Sequence, residues 1–331
     1  MYPENAVLLA PLAGYTDLPF RRSARRHGNR FAFTEMIDAG SLIYGTDKTL
    51  RFLHRDADEP WLGVQMVGAE PDILAQATDI LNGHRFDVLD FNLGCPSPKV
   101  VRKGEGAVLA EDRPKAIAAF RAMATHAAMP VTAKIRILDA VDPSPTVALA
   151  EALVEAGAVA ITIHGRLRRA VYSGPVAMDI IAAVRARLSV PVIANGGVHD
   201  AATACELRNA TGCSRIMVAR GALGNPWLFK ELADPAGFRP PTLAEFADEL
   251  ETHLRDMTAC YGVEFGLIIA RKLILDYLKG RGFSGELRNT VSHLATVADC
   301  AALMARVRNN HSPRYWQWLE ANPAAPRRLS P

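Results

Sequence analysis

The chain has 331 residues, 49% hydrophobic and 22% charged, with 38 Lys+Arg against 35 Asp+Glu and a formal charge of +3. That composition supports one large core plus a smaller second domain and excludes a disordered chain. No apolar run reaches the ~20 residues of a bilayer-crossing helix and the opening Met1-Tyr2-Pro3-Glu4-Asn5 lacks a basic signal start, so a cytoplasmic protein with no membrane partner is expected.

From the N-terminus one unit recurs: a short apolar or β-branched run, a loop containing Gly, Pro or Asn, then an amphipathic stretch of helical length. Eight runs have strand character: 7–12, 31–37, 61–67, 88–93, 131–138, 158–164, 190–194 and 215–219. Helical periodicity fills 72–81, 113–126, 146–156, 178–188 and 201–209, the last with Asp200 as its candidate N-cap. Near-continuously apolar strands alternating with helices imply a parallel sheet covered by helices, and eight repeats imply an α/β fold of the (βα)8 TIM-barrel type. After Pro240-Pro241 strand signals stop, which predicts a smaller all-helical C-terminal domain. The expected boundaries are a catalytic barrel at 1–238, a helical bundle at 239–322 and a loose Pro-rich tail at 323–331.

In such a barrel the acting residues sit at the carboxyl ends of the strands. The fourth run leads into Phe91-Asn92-Leu93-Gly94-Cys95-Pro96, a turn-prone segment that presents one thiol beside one carboxamide. A thiol can be a nucleophile, a metal ligand, a disulfide partner, a proton donor or packing. The odd, scattered set of Cys95, Cys205, Cys213, Cys260 and Cys300 argues against a disulfide framework and a structural zinc site.

Lys134 and Arg136 lie two apart on the fifth run and so share a face. Two neighbouring cations call either for an anionic ligand or for Lys134 to reach water while Arg136 pairs with an acid such as Asp90. His164 ends the sixth run, as a ligand-holding or a structural histidine. Asn195-Gly196-Gly197 and Arg220-Gly221-Ala222 follow the seventh and eighth, where such barrels cradle phosphate. With Gln65 on the opposite wall, these groups outline a flat heterocycle with a phosphorylated tail, for which flavin mononucleotide (FMN) fits. Gly104-Glu105-Gly106 is no dinucleotide fingerprint, since its third glycine is missing. Three basic clusters, Arg21-Arg22-Arg25-Arg26-Arg30, Lys99-Arg102-Lys103 and Arg166-Arg168-Arg169, are either solvated faces or contacts to an anionic partner.

In this order, Ala10-Pro11-Leu12-Ala13-Gly14, Thr34-Glu35-Met36, Val64-Gln65, Asn92-Leu93-Gly94-Cys95-Pro96, Lys134-Ile135-Arg136, His164-Gly165-Arg166, Asn195-Gly196 and Arg220-Gly221-Ala222 resemble the tRNA-dihydrouridine synthase family. The resemblance is strong over 5–235 and looser beyond. It implies an FMN enzyme that reduces C5=C6 of particular uridines in tRNA with NADPH (or NADH), hydride passing from reduced flavin to C6. Carried over by position, Cys95 would donate the proton to C5, and Asn92, Arg136 and Tyr172 would hold the uracil. Pro11, Leu12, Ala13, Gln65, Lys134, His164, Asn195, Gly196, Gly197, Ala219 and Arg220 would hold FMN. The partner would be tRNA, met by the basic clusters and oriented by the helical domain; no obligate protein partner is evident, and a monomer suffices.

Three positions depart from the family pattern. Leu12 stands for the usual Met, Leu167 for a Thr, and Ala219 for a Gly, the last harmless only where the backbone has negative φ. Rival readings are an FMN barrel acting on a free pyrimidine, a Schiff-base aldolase using Lys134 and a non-catalytic RNA-binding module.

Overall fold

The computed structural model describes residues 1–309 and Ala321. The tail expected at 323–331 and the end of the helical bundle, 310–320 and 322, lie outside the described residues.

All eight expected strands form and close a barrel: β1 Val7–Leu9, β2 Phe31–Asp38, β3 Leu62–Val67, β4 Val88–Leu93, β5 Val131–Arg136, β6 Ile161–His164, β7 Val192–Asn195 and β8 Arg215–Val218. Every neighbouring pair is parallel, and β8 returns to β1 through Val7↔Ile216, Leu8↔Met217 and Leu9↔Val218. The runs are apolar on both faces because one face fills the barrel and the other lies under helices. Inside, Leu8, Ala10, Phe33, Val88, Ile193 and Met217 pack into one cluster that Leu12 and Ala219 adjoin.

The helices start where local chemistry predicts. Arg113–His126 opens with Asp112 accepting from the Lys115 amide, and Leu243–Tyr261 opens with a reciprocal capping box between Thr242 and Glu245.

Contacts divide the chain into two compact units that do not follow chain order. The first comprises Met1–Asp17, Arg30–Val198 and Ala202–Ala219. The second comprises Leu18–Asn29, His199–Ala201 and Arg220–Pro331, which groups the helix Leu18–Arg26, the one that follows β1, with the C-terminal helices. Within the second unit that helix carries a buried polar knot. Glu249 accepts from Ser23 Oγ at 2.7 Å, Arg26 Nη2 at 2.8 Å and Arg26 Nε at 3.2 Å, and lies 3.0 Å from His27 Nε2. Arg21 is 1% exposed, and Arg26 and Arg22 pair with Asp256. In this first arginine cluster Arg21 is thus buried and Arg22 and Arg26 are held by acids of the same unit.

Among the described residues no helix is long and apolar enough to cross a membrane.

Candidate active site

The first unit gathers most of the expected site residues at the carboxyl ends of β3 to β7. Register sets Gln65 beside Asp90, Asn92 beside Lys134, Arg136 beside His164, and His164 beside Asn195. Side chains two apart on a strand share a face, so Asp90 and Asn92 turn inward together, as do Lys134 and Arg136.

Pro11, Leu12 and Ala13 form the turn after β1, where Leu12 N donates to Thr16 Oγ1 at 2.9 Å and Gly14 adopts φ 75°. The Gly14 amide also donates to the Glu35 carboxylate. Glu35 reaches it because β2 slips register against β3 between Phe33 and Met36, a bulge of the kind that re-aims side chains near sites.

The thiol-bearing loop is held from below and from the side. Asn92 Oδ1 accepts from the amides of Gly94 at 3.0 Å and Cys95 at 2.8 Å, and Cys95 O accepts from Ala107 N at 3.0 Å. Gly106 sits at φ 64°, where an added Cβ would lie 2.8 Å from Cys95 O, so only glycine fits this return turn. Burial pushes the Cys95 thiol above its ordinary value; the Ser97 amide, Arg136 and Lys134 counter it and Glu105 reinforces it. The thiol is thus a protonated acid at neutral pH. Glu105 is itself pushed up to about 7 by burial and by Asp38, against the pull of Lys103, and its Oε2 has no hydrogen-bond partner among the described residues.

Lys134 Nζ donates to Asn195 Oδ1 at 3.0 Å, while Asn195 Nδ2 donates to Met217 O at 2.8 Å, which fixes that amide's sense. Burial, then the neighbouring Arg136, lowers Lys134 to about 8, against Asp90 and Cys95. Arg136, 3% exposed, does not pair with Asp90. Its Nε donates to Gly94 O at 2.7 Å and its Nη1 to Leu167 O at 3.3 Å, and its guanidinium lies 5.8 Å from the centre of the half-exposed Tyr172 ring. His164 is 7% exposed, with Nε2 3.4 Å from Arg166 Nη1. Gly196 and Gly197 follow at φ 130° and 75°. A Cβ at Gly196 would meet Val176 Cγ2 at 3.0 Å and His164 Cδ2 at 3.2 Å, so this turn is kept bare.

Ala219 is not among the positive-φ residues, so its replacement of glycine carries no backbone strain. Arg220 follows directly and opens the short turn Arg220–Ala222 of the second unit.

Two expected roles meet a different arrangement. Gln65 is 0% exposed; its Nε2 donates to Asp90 Oδ2 at 2.7 Å and its Oε1 accepts from Asn92 Nδ2 at 2.7 Å. Asn92 Nδ2 also donates to Met36 Sδ at 3.2 Å, so both ends of Asn92 are saturated. Asn92 thus has both hydrogens and both lone pairs engaged, while Gln65 is engaged once at each end. The sequence named Asp90 only as an acid for Arg136; its bond to Gln65 was unforeseen, and its place two residues before Asn92 on an inward strand face was the available signal. The cations Arg168 and Lys103, expected as phosphate contacts, pair with Glu111 at 2.7 Å and Asp38 at 2.6 Å.

A closed parallel barrel of eight strands is a TIM barrel, and the thiol, lysine, histidine and glycine turn at its strand ends make the carboxyl face the candidate active site. The family model described as dihydrouridine synthase (Dus) matches residues 8–311. The tRNA-dihydrouridine synthase B of Pasteurella multocida is 34% identical over 281 residues, covering 84% of this chain and 85% of that protein. That of Xanthomonas campestris is 35% identical over 294 residues, covering 88% and 89%. The chain belongs to the dihydrouridine synthase family and is an oxidoreductase of that class. Histamine dehydrogenase from Rhizobium sp. 4-9 superimposes with a TM-score of 0.53 at 12% identity, over 81% of this chain and 48% of that one, a likeness of fold alone.

Proposed function

We propose that this protein reduces the C5=C6 bond of particular uridines in cytoplasmic tRNA to 5,6-dihydrouridine, using FMN and NADPH (or NADH). The observation that carries this reading is Cys95, a thiol kept protonated by burial on a loop that Asn92 and Gly106 pin above the strand ends.

The residues present fit a flavin nucleotide. Gly196 and Gly197, successive glycines at positive φ where a Cβ at the first would press on Val176 and His164, suit backbone amides that close on phosphate oxygens. His164 and Asn195 would flank the same end, Ala219 follows β8, and the turn Pro11, Leu12 and Ala13 would meet the ring through its backbone. Lys134, a cation on the barrel wall, would answer negative charge on the reduced ring. When bound, the flavin supplies the hydride for C6.

What the chain itself does is hold and release one proton. Cys95 gives the thiol proton to C5, and the thiolate left behind is stabilised by Arg136 and Lys134, which lower its proton affinity. Arg136 and Tyr172, a guanidinium near an aromatic face, are the groups left to meet the base, because the Asn92 amide is already saturated. A uracil in folded RNA has to leave its stack to reach such a pocket, which costs a few kcal/mol, offset by stacking and polar contacts. We assign orientation of the tRNA to the helical second unit.

The test is dihydrouridine formation in tRNA that lacks it, read by nucleoside mass spectrometry with NADPH as reductant. Cys95→Ala should keep the flavin's yellow absorbance and tRNA binding while product falls by about a hundredfold or more. Equal product from Cys95→Ala, or faster turnover on free uracil than on tRNA, would overturn the reading.

A further inference from the structure

The barrel interior holds a carboxylate that this reaction does not consume. Asp90 is 1% exposed on β4, and its register partners are Gln65 on β3 and Thr132 on β5. Thr132 Oγ1 donates to Asp90 Oδ1 and Gln65 Nε2 donates to Asp90 Oδ2, both at 2.7 Å.

An ionised carboxylate only accepts hydrogen bonds, so it decides which end of the Gln65 amide faces it. The NH2 group must turn down to Asp90, and the Gln65 carbonyl must then turn up to Asn92 Nδ2 at 2.7 Å. Asn92 aims its own oxygen at the amides of Gly94 and Cys95, which only donate, so the pair of side-chain amides is fixed in one sense from both ends. Without an acceptor at its base the Gln65 amide loses its lower anchor, and Asn92 is then held only from the loop side. With Asp90 below and the two loop amides above, Gln65 and Asn92 are held between fixed partners.

We infer that Asp90 is a positioning residue for Cys95, acting through Gln65 and Asn92 to fix the loop that offers the thiol. The value of that thiol to uridine reduction rests on the function proposed above; the relay itself belongs to the free protein. Burial raises Asp90 to about 6 against the bonds from Gln65 and Thr132 and the charge of Lys134, so it is ionised at neutral pH and able to set the direction. Tyr2, whose hydroxyl Asp90 helps push up, is the other titratable group that bears on it.

The experiment compares Asp90→Ala with Asp90→Asn in the full-length protein. Asparagine can still accept from Gln65 while its NH2 donates to a rotated Thr132 hydroxyl, so it should rescue what alanine loses. The first readout is the rate of iodoacetamide modification at Cys95 at pH 8, resolved by peptide mass spectrometry with exposed Cys205 as internal standard. Releasing the loop exposes a half-buried thiol, so the rate in Asp90→Ala should rise fivefold or more and that in Asp90→Asn should stay within twofold of wild type. The second readout is turnover, with kcat falling tenfold or more in Asp90→Ala and KM for tRNA changing less than twofold. A wild-type rate at Cys95 in Asp90→Ala, or equal damage from both substitutions, overturns the inference. Should Asp90→Ala not fold, Gln65→Met breaks the relay one link higher, and the same two changes are expected of it. Alkylation needs neither tRNA nor flavin, so loss of the relay and loss of the uridine reading give separate results.

Discussion

Asp90 in the first unit and Glu249 in the second are both carboxylates buried among hydrogen-bond donors, and the two end up on opposite sides of the ordinary range. Burial raises both. For Glu249 the bonds from His27, Arg26 and Ser23 together with the charge of Arg26 outweigh it, and the group falls to about 2. Asp90 receives only neutral donors, Gln65 and Thr132, with Lys134 acting on it by charge alone, and it stays at about 6. The donors' charge, more than their number, separates the cases. Glu249 is a permanent anion that knots helix Leu18–Arg26 to helix Leu243–Tyr261, while Asp90 is poised close enough to neutrality to depend on its surroundings.

The largest way to test that contrast is Glu249→Ala, which strips the common anion from Arg26, His27 and Ser23. Removing one partner of a buried ion pair costs roughly 3–5 kcal/mol. Urea unfolding followed through Trp227, which packs 5.0 Å from His27, should show that loss, and a change under about 1 kcal/mol would end the claim that this knot is structural.

Next in size is the acid side of the stability profile. Asp90 in the folded chain lies above its unfolded value of ~3.9, so the folded state holds the extra proton and stability falls as pH rises from about 4 to about 6. Glu249 lies below its unfolded value of ~4.3, so its contribution is present above that value and is lost as pH falls towards about 2. Between pH 4 and 7 the stability difference between Asp90→Asn and wild type should therefore move on the order of 3 kcal/mol in the variant's favour. A flat difference would mean that Asp90 is not raised.

Gly106→Ala puts a side chain at φ 64° and 2.8 Å from Cys95 O, for an expected loss of about 2 kcal/mol together with faster alkylation of Cys95. Unchanged alkylation would show that this turn does not brace the thiol. Smallest is Lys103→Ala, which removes a largely exposed pair with Asp38 and should alter stability by less than about 1 kcal/mol in thermal denaturation.

Much of the first unit was legible in the chain. The helix read over 113–126 forms with those bounds, and all eight strand runs form, because a parallel barrel strand is apolar on both faces and glycine, proline and asparagine mark its ends. Less legible was the company each polar group keeps. Arg21 and Arg26 read as a basic patch, yet one is buried and the other held by Glu249 and Asp256, residues more than two hundred positions away. The Gln65 and Asn92 amides read as ligand contacts, yet they bond to each other across neighbouring strands.

By itself the sequence determined the barrel, the ring of strand-end residues and the family, since each rests on local periodicity or on residues at fixed spacing. Tertiary structure alone decided that the helix after β1 belongs with the C-terminal unit, that Asp90 orients two amides beneath Cys95, and that Asp90 and Glu249 differ so widely in proton affinity. The physical reason is that desolvation and the charge of a neighbour depend on which groups share a low-dielectric site, and those groups are far apart along the chain.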